Sequence, residues 1–538
     1  MLSIRHNARV DSYLSYLDFR LKESAAKEVY LYGTGFWAKI LLSFLSSTGI
    51  KVLGLIDDGY GEKSQVELGL PIIRSADVKK PFARIVIASE DYQEEIYNRL
   101  RSSGYGNWHI IRVFTSPNLH GLNRFFVSKP KPLKRNNVKR IFFIGDNTDT
   151  VNYGCRATSK ALEDILSNDA CISDRMKRQE ILDMFAAIQI VSDFGVYMAA
   201  VKKYNSSEMD CLVERIKRVD AVVMNGEGSF ILKSPPRKDL HKYALIMLAC
   251  IEAERPFYVV NAMFSAYANE VMNDNLMDDI LQILEHASFF STRDQQSLEL
   301  IKTNNSNIKA GFVPDALFSW HSVLTENGEA LRQITANPQF SMPFAYSPEF
   351  YQRLDFSEGY VLLSGNSYAA AFQNQAEEAF YELAIELNRR TKKLGLRLYL
   401  IECCSGDAFL RAVSRKAGLP LIPSTTNIYM AMWILANAQC LVSGRYHPSI
   451  LASLGGTPCV FMKANSHKTE SLQAVLNIDP NERDTFSAVP DKTEIHRIAD
   501  AFEKALKQDR ERIKAECCKN AVFARGIWET IMGAENDY

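Results

Sequence analysis

Short apolar runs that stop abruptly at a glycine or polar residue, each followed by an amphipathic segment, recur along the whole chain. VYLYGTG, VLGLIDDG, RIVIASE, RIFFIGD, AVVMNGEGS, FYVVNAM, FFSTRD, YVLLSGNS, LRLYLIECCSGD and CLVSGRYH are instances. Alternation of such runs with helical segments implies parallel sheets covered by helices on both faces. The chain has 538 residues, and single cores seldom grow past about 250–300 residues, so more than one domain is expected. The expected division is a Rossmann-like domain over residues 1–127 and a proline-broken cationic linker, SKPKPLKRNN, over 128–137. Two doubly wound halves facing a cleft follow over 138–322 and 323–505, with a helical tail over 506–538.

Lys+Arg and Asp+Glu both number 63, which argues against nucleic-acid coating and a polybasic membrane anchor. The 10 cysteines include no C-x-x-C pair and read as reduced core thiols, with no metal site expected. No apolar stretch approaches the ~18 residues of a membrane span, and the N-terminus lacks a signal-like apolar region. A cytoplasmic protein is the expectation, one that serves any membrane pathway from the soluble side.

In an open parallel sheet, ligands bind beyond the carboxyl ends of the strands, so the residues that end each apolar run are the candidates. Arg445 and His447 follow Ser443-Gly444 and open a small-residue helix. Lys468 follows the next run. A helix N-terminus and an arginine fork both suit phosphate or carboxylate. The structural alternative pairs Arg445 with a carboxylate and makes His447 a cap; Lys468 at the adjacent end tips the reading toward an anion site. In Asn225-Gly226-Glu227-Gly228-Ser229 the glycines permit close approach of a ligand, and Glu227 suits a base or hydroxyl binder. Arg293 and Asp294 equally suit a helix cap, and Asp315 after Pro314 equally suits a turn. Gly33-Thr34-Gly35-Phe36-Trp37-Ala38, with Asp57 beyond it, fits a dinucleotide fingerprint in its proper strand-turn-helix context. Phe36 and Trp37 are bulky where a pyrophosphate should approach, and a nucleotide-binding-like domain without redox chemistry fits as well.

Over about residues 138–480 these pieces resemble the polysaccharide pyruvyl transferases. Asn152-Tyr153-Gly154-Cys155-Arg156-Ala157-Thr158 is similar to an N-x-G-x-R-A-T segment, and 225–229 to an N-G-E-G-S turn. Arg293-Asp294 with Ser297, Val313-Pro314-Asp315, Ser443 to His447, Gly456-Thr457-Pro458 and His467-Lys468 follow in the family's order. The resemblance implies a GT-B-like pair of Rossmann-like halves. It also implies transfer of an enolpyruvyl unit from phosphoenolpyruvate to hydroxyls of a glycan or lipid-linked saccharide, giving a pyruvate ketal. Arg445, His447 and Lys468 would hold the donor. Chemically, Arg156 or Arg293 would add positive charge, His447 would protonate the enol carbon, and Glu227 or Asp315 would accept a hydroxyl proton. No cofactor is required by these steps, although the N-terminal domain suits a nucleotide. The N-terminal domain lies outside the family's minimal chain and resembles NAD(P)-binding-like domains beside sugar-modifying enzymes. A glycosyltransferase using a nucleotide sugar, an NAD(H)-binding protein and an assembly component without activity are the competing readings. Peripheral membrane association and oligomerisation are both compatible with the sequence.

Overall fold

The computed structural model describes residues 14, 17, 21, 26–58, 66–78, 83–90, 92–105, 109–114, 140–150, 152–167, 171–185, 188, 194–233, 237–267, 274–336, 354–368, 373–424 and 426–532. The linker expected at 128–137 lies outside them. Three parallel sheets account for the apolar runs. The first holds β1 (Glu28–Tyr32), β2 (Lys51–Ile56), β3 (Val66–Glu67), β4 (Leu70–Ile73), β5 (Arg84–Ile87) and β6 (Ile110–Arg112), in the order β3-β4-β2-β1-β5-β6. Its one antiparallel pairing, β3 with β4, lies at the edge. This sheet belongs to one compact unit, and the other two sheets belong to a second.

The second sheet holds β7 (Arg140–Asp146), β8 (Cys171–Lys177), β9 (Ala221–Glu227), β11 (Phe257–Ala262), β13 (Phe289–Thr292) and β14 (Ala310–Phe312), with a small pair β10 (Ile231–Leu232) and β12 (Ser265–Ala266) beside it. Its order is β14-β13-β11-β9-β7-β8. The third sheet holds β15 (Tyr360–Asn366), β16 (Arg397–Ile401), β17 (Leu421–Ile422), β18 (Cys440–Gly444) and β19 (Cys459–Phe461), in the order β17-β16-β15-β18-β19. The central strands β9, β15 and β18 are buried at every residue, as expected of parallel strands covered on both faces. Separate apolar cores flank each sheet, one around Phe142, Met224 and Phe290 and another around Leu363, Phe380 and Val442.

Two doubly wound halves in one unit make this part of the chain GT-B-like. The strand order reverses between β7 and β9 in the first half and between β15 and β18 in the second. Crevices open at such reversals, beyond the carboxyl ends of the strands. The last helix, Arg510–Met532, is not an isolated tail. It packs on the 3-10 turn Ala316–Ser319 and on helix Tyr153–Ser167, both attached to the second sheet. No helix among the described residues is long and apolar enough to cross a membrane.

Candidate active site

The β7/β9 reversal puts Asp146-Asn147 next to the end of β9. Gly226 is required there, because a Cβ would stand 2.6 Å from that of Ala262 on β11. The following residue, Glu227, is buried and takes φ +38°, a left-handed conformation that a branched chain strongly disfavours. This turn carries its carboxylate onto two amides. Oε1 accepts from Asn147 Nδ2 at 2.7 Å and from Asn225 Nδ2 at 3.0 Å. Asn225 is itself anchored, its carbonyl accepting from the Tyr243 hydroxyl at 2.8 Å. Ser229 donates to Asp239, whose carboxylate also takes Arg178 at 2.9 Å and Arg237 at 3.2 Å. Gly228 sits beside Arg237.

Three chain segments meet at Asp315. Its buried carboxylate accepts from Thr158 Oγ1 at 2.6 Å and Arg293 Nη1 at 3.2 Å, and lies 3.3 Å from His447 Nε2. Burial alone would raise this carboxyl, but His447, Arg293 and Thr158 outweigh it and hold it well below the usual carboxylate range. Arg293 also lies over the Tyr446 ring at 4.2 Å. His447 stands in the first turn of helix Tyr446–Leu454. Gly154 lets helix Tyr153–Ser167 approach it, since a Cβ at 154 would lie 2.6 Å from the His447 Cβ and 3.1 Å from Nδ1.

The β15/β18 reversal supplies Arg445, the residue preceding that helix. Its guanidinium is chelated by buried Asp407, with Nε at 3.1 Å and Nη2 at 2.5 Å from Oδ1. Burial opposes the charge, but Asp407 outweighs it and raises the Arg445 pKa. Lys468, at the start of helix Lys468–Val475, donates to Asn465 Oδ1 at 2.7 Å. Burial, then the charges of Arg445, Arg293 and Arg237, lower its pKa to about 7. Beside it His467 Nε2 meets Asp294 at 2.9 Å, and Asp294 caps helix Gln295–Asn304 by accepting from the Ser297 amide at 2.8 Å.

The structure therefore brings Glu227, Arg293, Asp315, Arg445, His447 and Lys468 to neighbouring strand ends. Arg156 is placed differently. Its guanidinium is buried and donates to the Ser424 carbonyl at 3.0 Å, with its pKa lowered by burial to about 10. In the N-terminal sheet, Gly33 takes φ +115° and Gly35 precedes helix Phe36–Ser47, while Thr34 donates to Asp57 at 3.4 Å. Asp407, Asp239, Arg178 and Arg237 escape the sequence reading. Asp407 closes the run LRLYLIECCSGD, so the strand-end rule reaches it. Arg178 follows β8, whose C-I-S-D-R-M-K pattern is no apolar run.

A family model for polysaccharide pyruvyl transferases matches residues 152–466, more than half the chain. The chain belongs to that family. The match takes in Arg156, Glu227, Arg293, Asp315, Arg445 and His447 and stops just short of Lys468. The chain carries in addition a match to the N-terminal domain of C2185-like proteins over residues 25–111. No curated protein matches it in sequence. Among solved structures, UDP-GlcNAc 2-epimerase from Neisseria meningitidis is 10% identical at a TM-score of 0.46, over 73% of this chain and 98% of that one. The trehalose 6-phosphate synthase of Burkholderia multivorans is 10% identical at 0.43, over 74% and 98%. At TM-scores below 0.5 these likenesses carry no argument about its chemistry.

Proposed function

We propose that this pyruvyl transferase moves the pyruvyl group of phosphoenolpyruvate onto hydroxyls of a sugar, in a cell-surface polysaccharide or its lipid-linked precursor, and closes a pyruvate ketal. The observation that carries the reading is the meeting of an acid, a base and uncompensated positive charge. His447 and Glu227 offer donor atoms within 4.8 Å of one another, and Lys468 stands among arginines with no carboxylate in ion-pair range among the described residues.

The donor carries a phosphate and a carboxylate. Lys468 and Arg293 face it as cations; Arg445, already chelated, adds field from behind Asp407. Asp315 and Arg293 both lie 3.3 Å from His447 Nε2, so that nitrogen is engaged and Nδ1 is the one to deliver the proton that C3 of the enol receives. Asp315 itself is a poor base because three donors hold it ionised. Glu227 is the better acceptor. As a sugar oxygen bonds to C2, its hydroxyl proton passes to Glu227, and C3 gains a proton from His447. A second hydroxyl then bonds to C2, the C2–O bond to phosphate breaks, and the departing phosphate takes the second hydroxyl's proton. Return of the proton from Glu227 to His447 resets the site.

A thermal-shift series tests the donor. Phosphoenolpyruvate at ~100 times its Kd is expected to stabilise the protein by about 2.7 kcal/mol, and Lys468→Ala is expected to abolish the shift. A shift with UDP- or GDP-sugars and none with phosphoenolpyruvate would move the reading to glycosyl transfer. A shift with NAD(H) alone would move it to the N-terminal domain.

A further inference from the structure

Cys155 lies in the first turn of helix Tyr153–Ser167, Glu227 ends β9 and His447 opens helix Tyr446–Leu454. These three residues come from three separate segments, yet a thiol sulfur, a carboxylate oxygen and an imidazole nitrogen all lie within 4.8 Å of one another. We propose that Cys155, Glu227 and His447 form a binding site for a zinc-like divalent ion, and that the bound ion shuts the active site.

The donor set fits such an ion. A thiolate, an imidazole and a carboxylate are the ligands zinc takes, and three protein ligands with an open fourth position is the usual arrangement of an accessible zinc site. Bonds of about 2.0–2.3 Å put tetrahedral donors roughly 3.3–3.8 Å apart, so the three need close by about 1.5 Å at most. Two of them are already oriented from outside. Asp315 lies against Nε2 of His447, leaving Nδ1, the nitrogen on the side of Gly154 and Cys155, for the ion. Asn147 and Asn225 both donate to Glu227. Carboxylate-to-histidine and amide-to-carboxylate contacts of this kind hold metal ligands in place. Cys155 is partly exposed, which gives an ion access.

Charge does not forbid it. Arg293 and Arg445 pair with Asp315 and Asp407, and Arg178 and Arg237 share Asp239. Lys468, without a carboxylate among the described residues, is the one cation that opposes the ion, and its ammonium is already depressed to about 7. The thiol would release one proton as the sulfur–metal bond forms, so thiolate and carboxylate together neutralise a divalent ion. Such an ion would occupy the lone pairs of Glu227 and His447 that the proposed proton transfers use. Binding does not rest on that reaction; inhibition does.

The test is titration of chelator-treated protein with Co2+, which reports a cysteine ligand by a thiolate charge-transfer band in the near ultraviolet. One equivalent is expected to produce the band, Zn2+ to displace it, and Cys155→Ser to abolish it. Glu227→Gln is expected to weaken Co2+ binding at least tenfold. No band in the wild type, or an undiminished band in both Cys155→Ser and Cys155→Ala with native circular dichroism, would overturn the site. In turnover assays, Zn2+ is expected to inhibit the wild type, and Cys155→Ser to keep activity while losing the inhibition. Binding by absorbance without inhibition would leave the ion site standing and overturn the shutting role.

Discussion

Arg445 and Lys468 lie at the carboxyl ends of adjacent strands, β18 and β19, and the fold treats them oppositely. Arg445 has a carboxylate of its own. Asp407 is fully buried, is bonded by two guanidinium nitrogens, and keeps the arginine charged despite burial. Among the described residues Lys468 has the amide oxygen of Asn465 and no carboxylate, and burial together with three neighbouring arginines depresses its ammonium to about 7. The first cation is a fixed part of the scaffold. The second is short of negative charge, and an anionic ligand would gain most there. Two cationic strand ends that look alike in sequence thus divide into one that is structural and one that is poised to bind.

The largest expected effect comes from breaking the structural pair. Asp407→Ala would leave Arg445 buried without its carboxylate, and loss of one partner of a buried pair costs about 3–5 kcal/mol. A urea midpoint lowered by that free energy divided by the slope, with the slope unchanged, is the expected outcome. A change within about 0.5 kcal/mol would show that Arg445 finds another partner or leaves the interior, and the contrast with Lys468 would collapse.

The second effect sharpens the binding side. An anion favours the protonated Lys468, so below pH 7 Lys468 should contribute no pH dependence to phosphoenolpyruvate affinity. Above it, affinity should fall about tenfold per pH unit, since each unit of deprotonation is about 1.4 kcal/mol. The phosphate is already mostly ionised there, its second pKa being about 6. In Lys468→Met the affinity should be weaker and flat across pH 7–9, by calorimetric titration. A wild-type affinity independent of pH over that range would remove Lys468 from the donor site.

The strands and most site residues are legible in the sequence because parallel strands buried on both faces read as apolar runs, and whatever ends a run is at the cleft. Glu227, Asp315, His447 and Lys468 follow from that rule alone. What is not legible is the partner of each. Asp407 is 38 residues from Arg445, and Arg293 is 154 residues from His447. No spacing encodes contacts that only the assembled sheets create, so the sequence leaves Arg445 between an anion binder and the partner of a carboxylate, and the fold supplies Asp407 as that carboxylate. Cys155 likewise reads as a core thiol, because its neighbours Glu227 and His447 arrive from a different strand and a different half. The two-residue β3 and the charged edge strand β8 lack apolar runs, so periodicity passes over both.

The smallest effect is the most discriminating. Replacing Lys468 with methionine removes a poorly compensated cation and keeps most of the stem's apolar contacts. Because the side chain is partly exposed, solvent screening limits the effect, and a stabilisation within about 1 kcal/mol is expected. Its sign should depend on pH. The folded pKa lies below the unfolded value of roughly 10.4, so above about 7 the unfolded chain binds more protons and wild-type stability rises with pH. The advantage of Lys468→Met should therefore be greatest below pH 7, shrink as pH rises and vanish only above about pH 10. A destabilisation of 2 kcal/mol or more at pH 6 would mean that Lys468, like Arg445, is held by a partner the fold depends on.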